Sequence, residues 1–273
     1  MSWLARPASA TQVTHGARLW LYALAGLVMA FLVIPTLIVI PMSFSASQYL
    51  EFPPQQWSLR WYAAYFGSAR WMQATVTSFE AGALTVLVAV PLGTAAAYGL
   101  LAAQARWAKL VRAILLTPIL VPVILVAIGT FYVYVKLGLL NTLAGLVVAH
   151  SMLALPLVVM IVTAGLRSFD MTQERVAQNL GASRLRAFWL VTLPQIRFAI
   201  GTSVVLSFLT SFDEAVVAMF VAGGRNATLT RAMFDALRDQ IDPTIAAIST
   251  VMIALSSVLV ILTQGLGGRS QGR

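Results

Sequence analysis

Long apolar runs alternate with short polar connections along this chain of 273 residues. Six of the runs reach the roughly 20 residues a helix needs to cross a bilayer: Trp20–Phe44, Val76–Ala102, Ala113–Val135, Leu139–Leu166, Phe198–Val221 and Thr244–Gln264. The first is too long for a signal-peptide apolar region and no small-residue cleavage pattern follows it, so it reads as a retained helix. The pattern predicts an all-α polytopic membrane protein with six transmembrane helices. Its parts are a polar N-terminal segment over 1–18, one membrane domain over 19–266 and a tail over 267–273. Residues 167–197 form a long polar insert between membrane runs and carry five arginines.

Composition agrees with that setting. Hydrophobic residues make up 59% of the chain and charged residues 10%, against about 25% charged in a soluble domain. A net charge of +9 would suit nucleic acid, but the basic residues sit scattered at the ends of apolar runs. That is a topology signal, and no nucleic-acid partner is expected. Twelve Lys and Arg fall on one side of the predicted threading: Arg6, Arg18, Arg106, Lys109, Arg112, Arg167, Arg175, Arg184, Arg186, Arg197, Arg269 and Arg273. The other side holds six: Arg60, Arg70, Lys136, Arg225, Arg231 and Arg238. The positive-inside rule therefore places both termini and the 167–197 loop in the cytoplasm.

Several chemistries are excluded. There is no cysteine, and the two histidines, His15 and His150, lie far apart, so neither a disulfide, a thiol nucleophile nor a metal centre is expected. Neither lysine, Lys109 or Lys136, follows a glycine as a phosphate-binding P-loop would require. No catalytic residue, metal or cofactor is assigned. If the chain takes part in energised transport, another polypeptide hydrolyses the nucleotide.

The insert has a readable local grammar. Asp170 can cap a helix, with Gln173 as its reciprocal partner. Val176, Ala177 and Leu180 share a face, and Gly181 stands where a left-handed C-cap ends the helix. Ser183 can cap a second helix, Arg184–Thr192, with Leu185, Phe188 and Trp189 on its apolar side. Pro194 then opens or bends the next membrane helix. On these physical grounds two readings stand level: a rigid knuckle that inserts into a partner's groove, or a basic amphipathic segment on the anionic inner leaflet.

The segment ERVAQNLGASRLRAFWLVTLPQI, 174–196, resembles the EAA loop of binding-protein-dependent ABC importer permeases. Ala177, Gly181, Val191, Leu193 and Pro194 fall in register with that pattern, and Leu180, Ala182 and Ser183 supply its common L-G-A-S form. Arg175 and Val176 stand where the family usually has Glu and Ala, while Glu174 matches an acidic residue often found one position earlier. The resemblance implies that Glu174, Ala177, Leu180, Gly181, Ala182, Ser183, Leu193 and Pro194 form the coupling loop that docks on the ATPase. FPPQQWSLRWY at 52–62, LGTAAAYGL at 92–100, LGLLNTLAGLVVAH at 137–150 and the stretch 211–247 resemble the spermidine/putrescine importer permeases in particular. Implied with them are the type I ABC importer permease fold and an inner-membrane location. The implied partners are a cytoplasmic ATPase dimer, a second homologous permease and a periplasmic solute-binding protein. A polyamine is the expected solute, with another small solute, such as an amino-acid derivative, as the alternative. An ion-driven secondary transporter or a membrane-embedded enzyme fits less well, because neither paired broken helices nor a cluster of catalysts is visible.

Asp213 and Glu214 interrupt the fifth apolar run. Carboxylates within a membrane helix cost about 2–4 kcal/mol and face protein or water. They can favour a cationic solute along its path, or they can serve structure, pairing with a partner's arginine or capping a helix break. Further out, Leu229–Gln240 reads as an amphipathic helix with Arg231, Asp235 and Asp239 at i, i+4 spacing. It either dips toward the pore mouth, meets a binding protein, or is a solvated hairpin. Trp57, Trp61 and Tyr62 suit an interfacial belt, Glu80 an interfacial pairing, and His150 a hydrogen-bonded packing position. Pro118, Pro122 and Pro156 are expected to kink the third and fourth spans.

Overall fold

The structure, a computed structural model, describes residues 14–103, 106–239 and 242–267. The basic residues Arg6, Arg269 and Arg273 and the helix end at Gln240 lie outside the described residues. The chain separates into two compact units, Met1–Tyr65 with Ile241–Val251 and Phe66–Gln240 with Met252–Arg273.

In the first unit, helix α1 spans Leu19–Met42 and has no buried residue. A helix that is apolar all round and buries none of its residues belongs against lipid or a partner. The segment after it is held by polar contacts. Ser45 and Trp57 form an antiparallel bridge, the Ser43 and Tyr62 hydroxyls lie 2.7 Å apart, and the Trp61 indole donates to the Ser47 carbonyl at 3.1 Å. Trp57 remains 69% exposed. Helix α2, Arg60–Gly67, follows.

The second unit is built on α3, Ala69–Ala102, whose 34 residues extend about 51 Å at the usual helical rise, beyond the hydrocarbon layer. After it come α4, Arg106–Leu120, α5, Val123–Leu137, and α6, Leu143–Ser168. The polar insert contains α7, Thr172–Asn179, α8, Arg184–Ala187, a π-helical stretch Phe188–Thr192 and α9, Leu193–Gln195. Then follow α10, Arg197–Phe212, α11, Val216–Val221, α12, Leu229–Asp239, and α13, Thr244–Gly267. The described residues contain no strand of a sheet. Among the described residues four helices are long and apolar enough to cross a membrane, or up to six if each bent helix pair is one span.

Two expected runs are broken. The third, Ala113–Val135, is not one helix: α4 and α5 meet at 103°. Pro122 sits at the corner as the N-cap of α5, with ψ 128°. Lacking an N–H, it cannot continue the α4 ladder. Pro118 and Pro156, by contrast, lie inside continuous helices. The fifth run ends at Phe212 and restarts at Val216, so Asp213 and Glu214 occupy a gap between α10 and α11.

Helices α3, α6 and α10 pack into the core of this unit through small residues, which is how membrane helices approach closely. A Cβ added at Gly93 of α3 would stand 2.6 Å from Val158 Cγ1 of α6. One added at Gly165 of α6 would stand 2.6 Å from the Ala199 Cβ of α10. A polar clasp joins the same three helices: the Thr85 hydroxyl donates to Ser211 Oγ at 3.3 Å, and His150 Nδ1 lies 2.7 Å from the same oxygen. His150 is fully buried and has the packing role expected of it.

Long-range polar contacts gather at the helix ends. At one end the Leu229 amide donates to Ser78 Oγ at 2.8 Å, and the Asn226 side chain donates to the Asn141 carbonyl at 2.6 Å. At the other end, the last turn of α3 meets the polar insert.

Candidate functional site

The polar insert folds as its residue types dictate. Asp170 Oδ1 accepts the Thr172 amide at 2.9 Å, and this bond holds the carboxyl below the ordinary carboxylate range; the expected Asp170–Gln173 capping box is not what opens α7, whose N-cap is Met171 with no side-chain cap. Because the folded value is lowered, this turn contact is complete above the unfolded value and is lost as pH falls through the folded one. At the far end of α7 the amide of Ala182 reaches the Ala177 carbonyl, and that of Gly181 the Gln178 carbonyl, both at 3.0 Å. Gly181 has φ +95°. These are the paired bonds of a Schellman stop, with glycine where its freedom is needed. Ser183 Oγ then accepts the Arg186 amide at 3.3 Å and opens α8. The second helix does not run on as regular α to Thr192. Over Phe188–Thr192 it widens to π, with the Leu193 amide bonded to the Phe188 carbonyl. Pro194 is the cause: its ring presses on the carbonyl four residues back, and a wider turn relieves that contact. Beyond it the segment Arg184–Gln195 meets α10 at 77°.

The polarity of this knuckle is inverted. Leu180 is 84% exposed and Leu185 68% exposed, while Glu174 is only 3% exposed. Val176 and Trp189 are also exposed, Ala177, Ala182 and Leu193 are half-buried, and Gly181, Ser183 and Pro194 face out. The expected apolar face Val176–Ala177–Leu180 is therefore not packed on the chain's own core. Of Leu185, Phe188 and Trp189, only Phe188 turns inward, edge-on to the Tyr98 ring at 4.9 Å between centroids.

Glu174 is the inner fastening. Its carboxylate accepts the Tyr98 hydroxyl and the Thr192 hydroxyl, and the Gln178 amide at 3.1 Å. Arg184 Nε donates to the Tyr98 oxygen at 3.3 Å, its guanidinium 5.3 Å from the ring centroid. One carboxylate thus joins α7, the π stretch and the last turn of α3. Tyr98 and Thr192 were not singled out from the sequence. Tyr98 stands in the run LGTAAAYGL, and only an aromatic residue at the end of a membrane helix marked it.

A second feature lies at the gap between α10 and α11. Glu214 Oε1 accepts the Val217 amide at 2.9 Å and caps α11, while its backbone carbonyl accepts the Thr230 hydroxyl at 3.1 Å. The helix-cap alternative is therefore the observed contact of Glu214. Asp213 is exposed and its carboxylate has no partner among the described residues. Both line an open cleft of about 660 Å³ shared with Thr210 of α10 and Met252, Ser256 and Ser257 of α13. The amphipathic helix expected after it is α12, with Arg231 3.8 Å from Asp235 and its guanidinium donating to the Ala218 and Met219 carbonyls. Among the described residues no group of His, Asp or Glu could hold a metal.

Residues 89–271 match the family described as the binding-protein-dependent transport system inner membrane component. The chain is 28% identical to the spermidine/putrescine transport system permease protein PotC of Escherichia coli (strain K12), over 87% of this chain and 89% of that protein. It is 27% identical to the putrescine transport system permease protein PotI of the same strain, over 92% of each. Its fold superposes on a chain of a bacterial alginate ABC transporter crystallised with an alginate pentasaccharide-bound periplasmic protein. There the TM-score is 0.72 and the identity 16%, over 92% of this chain and 95% of that one.

Proposed function

The chain belongs to the family of binding-protein-dependent transport system inner membrane components, and from that premise we propose that it carries a polyamine, putrescine or spermidine, across the membrane. It is a multi-pass permease subunit of an ABC importer, and ATP is hydrolysed by another subunit. The observation that carries the docking part of the proposal is the inverted knuckle. A turn that exposes Leu180 and Leu185 while burying Glu174 presents an apolar surface suited to a second protein. Loop 167–197 is assigned to the cytoplasm with both termini, by the distribution of Lys and Arg. Its partner there is the dimeric ATPase, and a second permease and a periplasmic binding protein complete the assembly. Closure of the ATPase pushes the knuckle, and the Glu174–Tyr98 contact passes that displacement to α3.

The cleft at the α10–α11 gap supports the choice of a cationic solute. Asp213 offers an unpaired carboxylate beside small hydroxyls, a setting that draws in a cation without holding it tightly. Similarity to PotC and PotI supports the same solute class.

Uptake into proteoliposomes holding this permease with its ATPase and companion permease tests the reading. Putrescine or spermidine enters only with ATP inside and binding protein outside. Asp213→Asn lowers the rate about tenfold, corresponding to ~1.4 kcal/mol of barrier. Glu214→Gln, which retains an oxygen for the Val217 amide, lowers it less. A wild-type rate for the double variant would sink the cation role, and transport of a neutral solute in place of polyamines would sink the solute.

A further inference from the structure

A groove of about 550 Å³ runs between α4 and α6, apart from the docking knuckle and the cleft, with Arg112 and Arg167 at its mouth. Arg112 stands one turn above Leu116, and Arg167 stands above Thr163, which stands above Val159, at successive i, i+4 positions on α6. Both arginines lie at the end of the unit that carries the polar insert. The floor is apolar, formed by Leu116, Val159 and Met160, and reaches about 12 Å below the Arg167 level at the usual helical rise.

Three observations indicate that something occupies it. Arg112 is half-buried, yet among the described residues neither arginine has a hydrogen-bond or ion-pair partner. The acidic residues of this end are otherwise engaged, Asp170 with the Thr172 amide and Glu174 with Tyr98 and Thr192. Thr163, 8% exposed, lines the groove with a buried hydroxyl that bonds to nothing. A half-buried Arg112 with the exposed Arg167 beside it calls for a counter-charge, and the described residues supply none.

We propose that this groove binds an acidic phospholipid, its phosphate held between Arg112 and Arg167 and one acyl chain lying along Leu116, Val159 and Met160. Guanidinium groups bind phosphate oxygens through paired charge-assisted bonds, and basic recesses between membrane helices suit anionic headgroups. A soluble anion would have no use for the apolar floor, and a zwitterionic lipid would bring no net charge. The site depends on the chain spanning a membrane and on neither its solute nor its sidedness.

The full-length permease, purified in detergent and offered phosphatidylglycerol and phosphatidylcholine in equal amounts, tests this by native mass spectrometry. The expected result is retention of phosphatidylglycerol in about tenfold preference. That preference falls in Arg112→Gln and in Arg167→Gln and disappears in the double variant. Equal retention of both lipids by the unaltered chain means ordinary surrounding lipid and overturns the proposal. Displacement of the bound lipid by millimolar inorganic phosphate would mark a soluble-anion site, and loss of ATPase co-purification in the double variant with lipid preference intact would mark a protein-docking surface. Either result overturns it too. ATP-dependent uptake, measured separately, reports on the importer reading, so the two fail independently.

Discussion

Glu174→Ala is expected to reduce ATP-coupled uptake by about tenfold or more while leaving the six membrane segments inserted. The carboxylate accepts from Tyr98, Thr192 and Gln178 at a site 3% exposed to solvent. Each hydrogen bond to a buried charged group is worth about 1.5–3 kcal/mol, and the hydroxyls left behind lose their partners as well. The knuckle then loses its hold on α3, and motion of the ATPase no longer reaches the bundle. Glu174→Gln separates an internal tie from a direct ionic contact with the ATPase. An amide keeps one acceptor oxygen, and either hydroxyl can accept from its NH₂, so Gln retains much of the transport if the tie is internal. Were the charge itself read by the ATPase, Gln would be as damaging as Ala. Tyr98→Phe, which removes the hydroxyl from the other side, reproduces part of the loss. Uptake by Glu174→Ala at the unaltered rate would end this account of the carboxylate.

Gly181→Val is expected to abolish co-purification of the ATPase without loss of the folded permease. At φ +95° an L residue is strained by about 1–2 kcal/mol, more with a β-branch, and the Schellman stop that sets the direction from α7 to α8 is undone. An added Cβ meets nothing of the chain itself within 4 Å, so the permease core is not disturbed. What the side chain would meet is whatever covers Leu180 and Leu185. Gly181→Asn, which tolerates left-handed backbone, retains more ATPase than Gly181→Val. Stoichiometric ATPase with the Val variant, judged by size-exclusion profile and gel densitometry, would remove this corner from the docking surface.

Both predictions begin from features the sequence makes legible to different degrees. Gly181 and Ser183 announce their caps because capping is a matter of neighbours within five residues. The apolar runs announce themselves by length. The burial of Glu174 does not, because its main partner Tyr98 lies 76 positions away and the apolar pattern of α7 suggests the opposite face turns inward. Local amphipathicity shows which residues will be covered and is silent on whether the cover comes from the same chain. Pro122 marks a disturbance in the third span, but a residue type carries no angle, and the 103° turn depends on packing beyond it. Asp213 and Glu214 are adjacent and chemically alike. Only the restart of the helix at Val216 separates them into a cap and an unpaired carboxylate.

The π stretch at Phe188–Thr192 has a bearing on how such loops can vary between relatives. A π turn accommodates one residue more than the α-helix it replaces. The extra residue is taken up within the wide turn itself, so deleting one residue there would let the ladder close in α form with both flanks nearly in place. The same deletion from a regular α turn between Leu185 and α10 would swing Leu185 about the axis by about 100°. The azimuth of the apolar knob is thus buffered at this one place, where the chain can shorten by a residue and leave Leu185 aimed as before.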